Sequence, residues 1–229
     1  MLYFDPMYFV FALPALILAM FAQWRVTSAV NKYSRVQTAR GQTGARVARA
    51  LLDYHGLQDV AVERGGGILS DHYDPRTRTL RLSPNVFDMP SVAAVGIAAH
   101  ETGHALQHAQ GYWPLQARSA IVPVVQFGSF LGPLVFFAGL LLNITGLAWV
   151  GVALFAGVAV FALATLPVEF DASRRAKQQL LQLGLIDGQE RLGVSRVLNA
   201  AALTYVAAMV ASLFTLLHFL LIARGNDRD

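Results

Sequence analysis

His100-Glu101-Thr102-Gly103-His104 is the group of residues in this 229-residue chain whose types and spacing can do chemistry. It is an H-E-x-x-H pentad inside a segment with helical character. Residues four apart on a helix share a face, so both imidazoles can hold one metal ion from adjacent turns. Glu101, next to the first His, is then placed to take a proton from a water polarised by that ion. With six His and four Glu in the chain, chance matches to this pattern are expected only about 0.003 times, so accident explains it poorly. The structural alternative is a surface helix that happens to carry two His and a Glu. The pattern points to a zinc hydrolase, and within that class to a peptidase.

A catalytic zinc ion takes three protein groups and leaves one position open for water, so a third ligand is needed. His108 continues the i, i+4 row, but helix rise puts its Cα about 12 Å from that of His100, beyond the reach of one ion. The metzincin extension fails as well, because Gln107 and Gln110 stand where Gly and His belong. Glu169, in Leu166-Pro167-Val168-Glu169-Phe170-Asp171-Ala172-Ser173-Arg174-Arg175, is the better candidate. It sits where an apolar stretch ends, and an acid at a membrane boundary is costly unless paired or coordinated. Its structural alternative is an interfacial ion pair with Arg174 or Arg175. Asp187, in Leu185-Ile186-Asp187-Gly188, superficially fits the L-D-G motif that supplies the third ligand in site-2 proteases. Against it, Gly184 and Gly188 read as a helix stop and a turn in a polar loop. The chain has no Cys, which excludes both disulfides and thiolate ligation.

The elements that must position these groups belong largely to a membrane protein. Residues are 55% hydrophobic and only 14% charged, far from the balance of a soluble domain. Four apolar stretches reach the roughly 20 residues a bilayer requires: Tyr3–Ala22, Ile121–Leu142, Leu147–Leu166 and Ala200–Ile222. The first lacks basic residues ahead of it and is followed by Arg25, Lys32, Arg35 and Arg40, which marks it as a retained signal anchor. Residues 23–119 carry eleven Lys+Arg against seven Asp+Glu, and the 167–199 loop carries five more basic residues, whereas the Asn143–Gly146 connector is uncharged. The positive-inside rule therefore puts both basic segments in the cytoplasm and the active site at the cytoplasmic face of the cell membrane. The net charge of +4 and pI near 9.7 follow from juxtamembrane basic residues beside anionic lipid and need no nucleic acid.

Between the first two spans the sequence reads as a small α+β segment. Thr43–Tyr54 has apolar residues at helical spacing, stopped by His55-Gly56. Val60–Val62 reads as a strand. Ile68–His72 and Thr79–Leu82 read as a hairpin turned at Asp74-Pro75-Arg76-Thr77. Asp88 with Pro90 reads as the start of the Val92–Gln110 helix that carries the pentad. The expected fold is thus mainly α, with four transmembrane helices and a cytoplasmic zincin-like segment. Its parts are an anchor at 1–22, the pentad segment at 23–119, and helices two to four at 120–229.

HETGHALQH, LSDHYDPRTRTLRLSP and LPVEFDASRRA together resemble the YugP-type neutral zinc metallopeptidases of bacterial membranes, over most of the chain. The resemblance implies one zinc ion, His100, His104 and Glu169 as ligands, Glu101 as general base, and a peptide or protein substrate. A more distant similarity is to the HtpX-like and CAAX-processing membrane proteases. In those the ligand Glu is followed four residues later by Asp; here that position is Ser173. Asp171, on a helix, points away from Glu169, and Ser173 lies on the correct face but is a weaker partner than an acid. His72, Tyr73, Arg174 and Tyr205 are candidate contacts to substrate or transition state, and the Thr79–Leu82 strand is a candidate partner for an extended substrate. A membrane scaffold with a structural zinc is the non-enzymatic alternative. Structural sites close with four ligands, usually including Cys, and would have no use for Glu101.

Overall fold

The computed structural model describes residues 6–67 and 70–226. It is mainly helical: α1 (Pro6–Tyr33), α2 (Gly44–Tyr54), α3 (Pro84–Asp88), α4 (Val92–Ala109), α5 (Trp113–Leu141), α6 (Thr145–Gln182) and α7 (Gly188–Asn226), with strands β1 (Ala61–Arg64), β2 (His72–Asp74) and β3 (Thr79–Leu82). Three helices, α1, α6 and α7, are long and apolar enough to cross a membrane, and a fourth span arises if the two halves of α5, bent by 47°, count as one. That bend follows Pro123, whose missing N–H and bulky ring break the helical hydrogen-bond ladder. The four apolar stretches of the sequence lie on these helices, except for Tyr3 to Asp5 of the first, outside the described residues, and Leu142 of the second, just past α5. Helices α6 and α7 run well beyond their apolar portions.

Contacts divide the chain into two compact units, one of residues 1–22, 116–167 and 204–229, the other of residues 23–115 and 168–203. The first is built on helix packing between small residues. A side chain at Gly139 would meet the Ala148 backbone at 2.3 Å, and one at Gly151 the Phe136 backbone at 2.4 Å. Where lipid replaces water, such close approach is what lets helices gain contact. Phe136 stacks on Phe219 at 4.2 Å between ring centroids, at the centre of a cluster with Ala148, Val152 and Phe155.

The second unit packs α2 and α4 around two apolar clusters, one through Val47, Leu51, Val92, Val95, Leu180 and Val194, the other through Leu52, Val60, Leu80, Leu82 and Ala98. Helix α2 begins as its sequence predicts, with the Thr43 side chain accepting from Arg46 N, and it ends at His55 before Gly56, whose φ of +72° suits a residue without Cβ. Helix α4 starts at Val92, as expected, but from a different cap. Ser91, not Asp88, supplies the cap by accepting from Ala94 N, and Asp88 instead ends α3 and pairs with Arg64. The backbone of Val36 and Thr38 holds that start in place, through Val92 N to Val36 O and Thr38 N to Pro90 O.

The sheet is larger than a hairpin. β1 pairs parallel with β3, and β2 pairs antiparallel with it, in the order β1-β3-β2. This corrects the expectation that Thr79–Leu82 pairs with substrate: β3 is the central strand and both its edges are taken. Parallel pairing with β1 needs a crossover that no local turn signal encodes. In the turn, Asp74 accepts from Arg76 N and Thr77 Oγ1, and Arg78 takes the left-handed conformation at φ 51°. Of the expected first hairpin strand, Ile68 and Leu69 lie outside the described residues, and the observed strand starts at His72.

Candidate metal centre

The pentad occupies the middle of α4, and its i, i+4 spacing brings His100 and His104 together with ring centroids 4.8 Å apart. Glu169 reaches them from α6, with its Oε2 3.2 Å from His100 Nε2 and 3.6 Å from His104 Nε2. Its side chain is only 3% exposed. One donor atom from each of the three lies within 4.8 Å of the others. Glycine makes this approach available. A Cβ at Gly103 would stand 2.8 Å from Ala172 O and 3.1 Å from Ala172 Cα, so α4 and α6 touch backbone to backbone within the pentad. Ala172 lies between Glu169 and Ser173, the two α6 residues that reach the imidazoles.

The outer nitrogens of the imidazoles are also engaged. His100 Nδ1 lies 3.1 Å from Ser173 Oγ, and His104 Nδ1 lies 3.0 Å from Gln107 Oε1. With Nδ1 of each ring turned to these partners, both Nε2 atoms face the Glu169 oxygen. Deprotonated at Nε2, the two imidazoles and the Glu169 oxygen present three lone pairs to one point, an arrangement that suits a bound cation. Ligand atoms held about 2.0–2.2 Å from a tetrahedral zinc ion are about 3.3–3.6 Å apart, close to the two separations between the imidazoles and Glu169. Hard-to-soft matching also favours zinc, since two imidazoles and a carboxylate with no thiolate are a familiar catalytic set. The residues fit the ion.

The electrostatics agree. Burial works against a charged His104, yet its proton affinity is raised, because the Glu169 and Glu101 carboxylates beside it favour the charged form. Burial likewise pushes the Glu101 carboxyl up, with the two imidazoles partly offsetting the effect. The centre draws in positive charge and holds a carboxyl of enhanced basicity beside it.

Other candidates fall elsewhere. His108 is turned to Tyr73, whose Oη lies 2.9 Å from its Nδ1. His72 is exposed and its Nδ1 lies 2.7 Å from Ser70 O. Arg174 binds Asp171, and Tyr205 is a half-buried residue of α7 assigned to the other unit. Asp187 caps α7, accepting from Gln189 N at 2.8 Å and Glu190 N at 2.7 Å, while Glu190 returns a bond to Asp187 N. This reciprocal cap uses the carboxylate that the L-D-G reading needs as a ligand. Asp171 corrects the expectation drawn from helix geometry. It does point away from Glu169, but it meets Gln107 at 2.9 Å, and Gln107 carries the connection to His104. Sequence reasoning missed Gln107 because it was weighed only as a failed metzincin position; its spacing of three from His104 was the available signal.

The chain is 49% identical over 225 residues to "Putative membrane protease YugP" of Bacillus subtilis (strain 168), covering 97% of this chain and all of that protein. No solved structure matches. The family model described as "Putative neutral zinc metallopeptidase" matches residues 8–224, and the chain therefore belongs to that family.

Proposed function

We propose that the protein is a membrane-integrated zinc endopeptidase that cleaves peptide or protein substrates at the cytoplasmic surface of the cell membrane. The observation that carries this reading is the convergence of His100 Nε2, His104 Nε2 and Glu169 Oε2, at 3.2 and 3.6 Å, with Glu101 on the same helix. His100, His104 and Glu169 hold one zinc ion, which when bound supplies Lewis acidity to a water and to the scissile carbonyl. Glu101 accepts the proton that water gives up on attacking the carbonyl carbon, then delivers it to the departing amine nitrogen. Ser173 and Gln107 hold the imidazoles in orientation. The basic segments at 23–119 and 167–199 support a cytoplasmic site.

Glu101→Gln separates water activation from metal binding. The variant keeps about one zinc per chain while turnover of a casein-like substrate falls by about a hundredfold or more. Retained turnover in metal-replete Glu101→Gln protein refutes the assignment of the base. Wild-type protein that neither binds zinc nor cleaves peptide refutes the whole reading.

A further inference from the structure

Gln107 is fully buried at 0% exposure. A glutamine tolerates that only when its amide is fully hydrogen-bonded. Here it is. Nε2 donates to Val168 O at 2.8 Å and to Asp171 Oδ2 at 2.9 Å, and Oε1 faces His104 Nδ1 at 3.0 Å. The amide has one workable orientation. Reversed, its carbonyl would confront a backbone carbonyl and a carboxylate, neither of which donates. Arg174 and Arg175 both donate to Asp171, which keeps that carboxylate ionised and acceptor-only.

The consequence reaches the imidazole. With its NH2 committed to Val168 and Asp171, Gln107 offers His104 only an acceptor. His104 must then carry its proton on Nδ1, leaving the Nε2 lone pair towards Glu169 Oε2, 3.6 Å away. His100 has no equivalent constraint, since the Ser173 hydroxyl both donates and accepts. We infer that Gln107 and Asp171 are positioning residues which fix the His104 tautomer and so raise the centre's affinity for its metal. The chain runs from Arg174 and Arg175 through Asp171 and Gln107 to His104, and its Asp171–Gln107 link spans 64 residues of sequence. It differs from the direct acid-to-histidine contact that Glu and a following Asp on one helix would make. The inference rests on His104 being a ligand.

The test uses the full chain in detergent micelles. Zinc affinity is read by competition with a chromophoric chelator, and the His104 tautomer by 15N NMR of metal-free protein labelled at the histidine rings. Gln107→Met keeps size and removes the acceptor. It should lower zinc affinity by about 10–100-fold and convert the His104 ring signals from one tautomer to a mixture. Asp171→Asn is the milder variant should Gln107→Met fail to fold; it removes the charge that orients the amide and should also produce a tautomer mixture. A role confined to bracing α4 against α6 predicts lower thermal stability with the tautomer unchanged. Unchanged ring signals and affinity in either folded variant overturn the inference. Separately, His104→Ala should lose zinc, and zinc retained there sinks the ligand reading beneath it.

Discussion

Gly103→Ala should damage the metal centre through a single methyl group. The added Cβ would stand 2.8 Å from Ala172 O, against 3.4 Å for the start of ordinary contact. Helices α4 and α6 must therefore move apart by about 0.6 Å, since the obstacle is backbone and cannot rotate away. Overpacking of this kind costs about 1–3 kcal/mol, reduced by up to about 1 kcal/mol because Ala favours helix over Gly. Glu169 and Ser173 flank Ala172 and move with it. Metal–ligand distances tolerate only about 0.2 Å, so the shift should lower zinc affinity by about tenfold or more. The measurements are chelator competition and thermal unfolding in detergent with and without zinc. Gly157→Ala is the control, because a Cβ at this α6 glycine meets nothing within 4 Å. Wild-type zinc affinity in Gly103→Ala protein would falsify the claim that this contact sets the spacing of the donors.

Three further substitutions and a topology measurement probe the rest. Glu169→Ala should abolish zinc retention on dialysis and with it activity, leaving two imidazoles. Asp187→Ala should keep wild-type zinc content and lose about 1 kcal/mol of stability, as removal of an N-cap does; zinc lost there and kept in Glu169→Ala would establish the site-2-type arrangement instead. His108→Ala should retain zinc, since its ring is turned to Tyr73, and metal loss in that variant would show that a fourth donor had been overlooked. Reporter fusions after Gln110 and after Leu183 should both score cytoplasmic and one at Thr145 external, whereas opposite scores for the first two rule out a shared site.

Much of this was legible in the sequence because it is local. Apolar periodicity gave α2, the pentad spacing put two imidazoles on one face, and the position of Glu169 at the end of an apolar stretch singled it out as their neighbour. Other features depend on how α4 and α6 meet. The link between Gln107 and Asp171 is set by the Gly103–Ala172 contact, and nothing near either residue announces it. The parallel pairing of β1 with β3 is likewise tertiary. Local competition decided the start of α4, where Ser91 has its side chain at the Ala94 N–H and Asp88 is drawn off by Arg64.

The unit that holds the donors is discontinuous, with residues 116–167 inserted between its two parts. This has a bearing on biosynthesis. His104 leaves the ribosome 65 residues ahead of Glu169, a delay of about 3–13 s at ordinary elongation rates. Throughout that interval the nascent chain has the pentad but no Glu169, and the residues added during it include the apolar stretches at 121–142 and 147–166. On the proposed function, a hydrolytic centre assembled in this order stays inert until both of those stretches have been made. On that reading the newborn polypeptide and the machinery handling it are spared cleavage during this interval.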